Sequence, residues 1–237
     1  MTAVPDVTPG QDAPAVTVPE VIARMEQIDA STVPRDGVAC FNRMYLEVTR
    51  KVEQGLGQGF FAGPEFMTRL DVTFANLYFA AVDAAADPAE VPLAWRPLLQ
   101  ARAERGIEPI QFALAGMNAH INHDLPVAVV STCAVLGTEP TAGSHLADYQ
   151  KVDRLLDAAE QSVRESFESA VERAVDQHLR AVENLVCGWS INEARDLAWT
   201  NAQLLWSLRD DQAASDLAAG AIAAAAAMAS KLLLVAV

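Results

Sequence analysis

From Pro19 onward the apolar residues recur every three or four positions, the period of an amphipathic helix. Val21, Ile22, Met25 and Ile28 mark the inner face of a first helix, opened by a proline at a position that tolerates one. After a loop at 33–38, Phe41, Met44, Tyr45, Val48 and Val52 repeat the spacing, while Glu47, Arg50, Lys51 and Glu53 take the outer side. Gly55, Gly57 and Gly59 stop that helix. A third is predicted over 64–86, apolar at Phe66, Leu70, Phe74, Leu77, Tyr78 and Ala81. The prolines at 88, 92 and 97 then imply an irregular corner around Trp95.

A fourth helix is expected from Pro109 to about Asn122, and Pro126 either kinks it or opens a fifth that ends at Gly137. From His145 the pattern stays helical to about Val186, long enough to expect a bend within it. Ser190 and Glu193 form a Ser-x-x-Glu capping box for the next helix, which ends near Arg209. An alanine-rich helix from about Gln212 closes the chain. The expected fold is all-α: a disordered, proline-spaced leader over 1–18, then one domain over 19–237 built as a bundle of seven to nine helices.

Composition narrows the partners. The 237 residues carry 17 Lys and Arg against 31 Asp and Glu, a net charge of −14 that repels phosphate backbones and anionic lipid surfaces. Neither nucleic acid nor a membrane is expected as a partner. The 217–230 segment is uncharged but alanine-dominated and shorter than the roughly twenty strongly apolar residues of a membrane span, so it reads as a packed terminal helix. Cys40, Cys133 and Cys187 stand singly, and the leader has no basic or strongly apolar stretch, which points to buried thiols in a cytoplasmic protein. The glycines at 55, 57 and 59 lack the preceding strand and following Gly-Lys-Ser/Thr of a phosphate loop.

Candidate chemistry concentrates in 116–126, where His120, His123, Asn118, Asn122 and Asp124 lie in an apolar neighbourhood. Polar groups carried into such a place must be hydrogen-bonded or useful. Ala113, Gly116, His120 and Asp124 share one flank of the helix, with room beside the imidazole for a ligand or for another helix. Four residues apart, Asp124 can hold one imidazole nitrogen of His120 and leave the other for acid–base work, although Asp124 is equally placed to cap a helix starting at Leu125. His123 reads as a surface histidine. A second cluster, His145, Asp148 and Tyr149, opens the long helix, and His120, Asp124, His145 and Asp148 together would be a two-histidine, two-carboxylate set for a divalent metal. Other groups that could line the same cavity are Asn42, Arg43 and Tyr45, then Asp71, Asn76 and Tyr78, then Arg195 and Trp199. The recognisable hydrolase elbow, zinc-peptidase pair and dinucleotide fingerprint do not occur.

The stretches Gly37-Val-Ala-Cys-Phe-Asn-Arg-Met-Tyr45, Asp71-Val-Thr-Phe-Ala-Asn-Leu-Tyr-Phe79, Trp95-Arg-Pro and Asn118-Ala-His-Ile-Asn-His-Asp124 resemble a bacterial, largely actinobacterial family of unknown function, over about residues 19–210. The resemblance includes an Asn-Ala-His-Ile-Asn-x-Asp pattern, which strengthens His120 and Asp124 as site residues and leaves His123 at the variable place. It implies no reaction.

Three readings follow. The first is an enzyme acting on a small, largely apolar, non-anionic molecule by cyclisation, elimination or hydrolysis. His120 is its general acid or base, Asp124 orients the imidazole, and Arg43, Asn118, Asn122, Tyr78, Tyr149 and Arg195 position the substrate. The second is a divalent-metal hydrolase on His120, Asp124, His145 and Asp148. The third is a non-catalytic ligand-binding or interaction protein. In the first reading the cavity lies between the second, third, fourth and long helices, lined by His120 and Asp124 and walled by Phe41, Phe74, Tyr78 and Met117.

Overall fold

The computed structural model describes residues 13–156 and 190–235. The 1–12 part of the leader, the expected long helix beyond 156 and Cys187 lie outside the described residues.

Within them the chain is all-α, with no strand. Its helices are α1 (Val18–Ser31), α2 (Gly37–Gly57), α3 (Pro64–Asp83), α4 (Arg96–Ala101), α5 (Pro109–Ala119), α6 (Leu125–Leu136), α7 (described over 145–156), α8 (Ile191–Ser207) and α9 (Gln212–Leu233). Their starts obey local rules. Thr17, Asp36, Ser190 and Asp211 each accept a backbone N–H of the first turn, and Pro19, Pro64 and Pro109 sit where a missing N–H costs nothing. The corner around Trp95, read from its prolines as irregular, contains the short helix α4.

Between α5 and α6 the backbone does not break. His120–Asp124 forms a π-turn, in which the Leu125 N–H reaches back five residues to the His120 carbonyl. Pro126 would clash with the carbonyl four residues before it and cannot donate, and the wider turn accommodates both defects without a kink into a separate helix. The rod α5–π-turn–α6 is the centre of the molecule. Every residue from Gln111 to Ile121 is buried, with α2, α4 and α9 packed around α5 and α3 and α8 around α6. The rod ends at Gly137, whose φ of 62° places it in the left-handed region that closes a helix.

Polar ties on the rod fix its neighbours. Asn118 Nδ2 donates to the Ala226 carbonyl and the Ser230 hydroxyl of α9, and Gln111 Nε2 donates to the carbonyls of Leu233 and Val235. By length and hydropathy α9 is the one described helix that could cross a membrane, and it docks on α5 through Ala223, Ala226, Ala227, Ser230 and Leu233. Its far side leaves Leu217, Met228 and Leu232 exposed.

The small flank of α5 proves to be room for another helix. A Cβ on Gly116 would lie 2.4 Å from Phe41 Cγ of α2, so the glycine lets that ring lie against the rod. Gly116→Ala is expected to lower stability by about 1–3 kcal/mol through overpacking, while Gly57→Ala, which meets nothing within 4 Å, leaves it nearly unchanged. Urea unfolding of the two variants checks this. Equal stabilities would show that Phe41 can give way.

Candidate functional site

The π-turn places His120 and Asp124 side by side on the buried rod. His120 Nδ1 lies 2.9 Å from Asp124 Oδ2, His123 Nδ1 lies 2.7 Å from Oδ1, and the indole Nε1 of Trp95 donates to Oδ2 at 2.9 Å. Three N–H groups thus converge on one carboxylate that is 2% exposed. Burial alone raises its pKa, but the hydrogen bonds and charge of His120 and His123 outweigh burial and hold Asp124 below the usual carboxylate value. The carboxylate is ionised, so His120 carries its proton on Nδ1, which donates to Asp124.

That tautomer leaves Nε2 with a lone pair. Burial lowers the His120 pKa, against the opposing pull of Asp124, so the imidazole stays neutral near pH 7. An aromatic shell fixes the ring. Phe74 stacks on it at 3.5 Å between centroids, Tyr45 meets it edge-on at 4.5 Å, and Phe41, Trp95 and Tyr78 close the outer positions.

His120 lines a cavity of about 80 Å³ between α2, α3, the rod, α7 and α8. Its wall is apolar, with Phe41, Met44, Met67, Phe74, Met117 and Ile121 among the lining residues, and its polar members are Tyr45, Asp71, His120, Tyr149 and Arg195. Three buried polar atoms of these residues have no hydrogen-bond partner: His120 Nε2, the Tyr45 hydroxyl and Asp71 Oδ2. Burial pushes the Asp71 carboxyl up to about 7, with Glu53 adding to the shift. Burial and the nearby Asp71 push the Tyr45 hydroxyl well above its ordinary value, so it remains a neutral O–H.

The expected site residues divide sharply. His120, Tyr149 and Arg195 line the cavity. Asp124 stands behind the imidazole and off the cavity wall. Tyr78 is also off the wall, its hydroxyl donating to Asn42 Oδ1, and Asn42 in turn donates to the Met25 carbonyl. Arg43 lies on the surface, bound to Asp29 and the Pro34 carbonyl. Asn118 is engaged by α9 and by Asn122 Nδ2, which uses the Asn118 side-chain oxygen. These four correct the substrate-binding expectation: none lines the cavity, and the side chains of Tyr78, Arg43 and Asn118 tie helices or loops together, while Asn122 bonds within the rod. His123, expected at the surface, is about four-fifths buried and shares the Asp124 carboxylate.

The four expected metal ligands do not converge. His145 stacks on Phe66 at 3.9 Å and bonds the Glu139 carbonyl. Asp148 accepts from the backbone N–H groups of Ala62 and Gly63, from Ser144 and from Lys151. Burial works against the Asp148 carboxylate, but those donors bring its pKa down to about 2 and account for its role as a tie between α7 and the turn before α3. Among the described residues no group of three or more histidines, cysteines and acids is arranged to hold a metal ion.

Trp95, Tyr45, Asp71 and Phe74 complete the arrangement. Asp71 was visible in the sequence as a carboxyl interrupting the apolar α3, whereas nothing local in the sequence tied the Trp95 indole to Asp124, 29 residues away.

The model of a family of unknown function, DUF5995, matches residues 18–236. The chain belongs to that family. No curated protein and no solved structure matches it.

Two outcomes follow from the electrostatics. Asp71 has a folded pKa near 7 against an ordinary 3.8, so the folded state holds a proton that the unfolded chain has lost. Stability therefore falls as pH rises from about 4 to about 7, and the penalty is complete above that range. Asp71→Asn removes it: the variant gains on the wild type as pH rises from about 4 to about 7, by up to a few kcal/mol, read by urea unfolding, and parallel pH profiles would contradict the assignment. Trp95→Phe removes one donor from a buried carboxylate and leaves a small cavity where the larger indole packed, which together should cost at least about 1–3 kcal/mol in the same assay.

Proposed function

We propose that this protein is an enzyme that moves a proton on a small, neutral, largely apolar molecule held in the apolar cavity. His120 Nε2 accepts the proton and Asp124 is the positioning group behind the ring. The observation that carries this reading is the pairing of the two imidazole nitrogens. Nδ1 is hydrogen-bonded to a buried carboxylate, Nε2 is buried without a partner, and the His120 residue lines an apolar cavity. A histidine that only tied helices together would gain nothing from a buried, unpaired second nitrogen, because an unsatisfied buried acceptor costs stability. The positive charge that develops on the imidazole is balanced by Asp124, and Trp95 and His123 keep that carboxylate aimed at Nδ1. The buried, unpaired thiols of Cys40 and Cys133 fit a reducing cellular interior.

A mixture of natural compounds serves as the test substrate. Wild-type protein and His120→Gln are incubated separately with the neutral small-molecule fraction of a bacterial extract, and the products are compared by mass spectrometry. Compounds converted by the wild type should be converted at least about 10²-fold more slowly by the variant. Conversion at equal rates, or no conversion by either protein, would overturn the reading and leave a binding protein.

A further inference from the structure

Tyr45 and Asp71 line the cavity together with His120, yet neither is needed to take a proton. Both are buried in an apolar wall, and each has a polar atom without a partner. Tyr45 comes from α2 and Asp71 from α3, and both line the cavity that His120 lines. Unpaired buried oxygens of this kind are costly unless a ligand completes them.

We propose that Tyr45 and Asp71 together bind the carbonyl oxygen of the substrate, which makes that substrate a small, neutral, enolisable carbonyl compound and His120 Nε2 the base for its α-hydrogen. The proposal rests on the acid–base reading above and adds the substrate class and two further catalytic residues.

The chemistry balances without any co-reactant. Nε2 takes the proton from the α-carbon, the C–H electron pair becomes a carbon–carbon double bond, and the carbonyl π pair moves onto oxygen. The negative charge on that oxygen meets two O–H donors, the Tyr45 hydroxyl and the protonated Asp71 carboxyl, in a site with little water to reorganise. Return of the proton from Nε2 to the same carbon, or to another carbon of the conjugated system, regenerates the neutral imidazole.

A neutral acid is suited to this position, because a carboxylate there would repel the developing oxyanion. An anionic substrate is disfavoured for the same reason, with Asp124 ionised behind the imidazole. The cation on the wall, Arg195, is engaged through Nε with Asp153 and through a terminal nitrogen with the Tyr149 carbonyl. The volume limits size as well. About 80 Å³ is roughly half that of an engineered cavity that admits benzene, and Met44, Met67 and Met117 are the flexible walls that can widen it.

Phenols imitate the enolate: a planar carbon frame with one oxygen that accepts strong hydrogen bonds. The probes are 4-fluorophenol and fluorobenzene, matched in size and differing in that oxygen, titrated into the full chain and followed by fluorine NMR. Wild-type protein is expected to bind 4-fluorophenol at least about tenfold more tightly than fluorobenzene. Tyr45→Phe and Asp71→Leu should each collapse that ratio towards one while fluorobenzene still binds, which shows that the cavity survives. Equal affinity of the two probes in the wild type, an unchanged ratio in both variants, or binding of neither probe would overturn the proposal. Such a result combined with conversion lost in His120→Gln would leave His120 as the base of some other reaction. An oxygen-dependent ratio with no conversion by the wild type would instead remove the enzyme reading and retain the oxygen-binding pair.

Discussion

A carboxylate enclosed in a helix bundle has to be surrounded by donors, and much of this structure follows from meeting that requirement at Asp124. The central rod is buried on all sides over α5, so its polar side chains have no recourse to water. Asp124 is satisfied by Trp95 from the corner before α5 and by two histidines of its own turn. Residues 120, 123 and 124 share one side through their three- and four-residue spacing, and the π-turn accommodates Pro126, which makes an ordinary α-turn unfavourable at that point. The consequence reaches outward. Once Nδ1 of His120 is committed to Asp124, Nε2 must point elsewhere, and the aromatic shell of Phe74 and Tyr45 holds the ring in that orientation.

Two aspartates in the same core therefore take opposite states. Asp124 has three N–H donors and is a carboxylate; Asp71, one helix away, has an oxygen without a partner and holds its proton up to about pH 7. Identical side chains differ here only in the donors that tertiary packing brings to them. The pair of environments puts a neutral base and a neutral acid on one apolar cavity, a combination that free side chains in water would not maintain at one pH.

The remaining polar residues of the core explain how the cavity keeps its shape. Tyr149 and Arg195 bind each other's backbone carbonyls and stack at 4.1 Å, which locks α7 to α8 along one wall. Asn118 and Gln111 anchor α9 to the rod, and Asn42 with Tyr78 ties α1, α2 and α3. Each is a polar group at a helix–helix seam whose hydrogen bonds are completed by protein. Most of the polar positions that the sequence suggested for a substrate belong to these seams.

The helical class, the starts at Pro19, Pro64, Pro109 and Ser190, and the pairing of His120 with Asp124 are all properties of residues within a turn or two of each other. Periodicity, capping chemistry and four-residue spacing report such local relations directly, so the sequence by itself determined them. What it could not determine was which helix would fill each groove. Gly116 reads equally well as space for a ligand or for a neighbour, and only the approach of Phe41 decides it. Arg43 and Asn118 carry functional groups suited to holding a ligand, and only the positions of Asp29 and Ala226 show that their hydrogen bonds are spent. Trp95 reached Asp124, and Tyr45 and Asp71 reached the cavity of His120, through packing between segments far apart in the chain. A hydrogen-bond partner or a cavity wall is a relation in space between such segments, and residue type and spacing alone do not encode it.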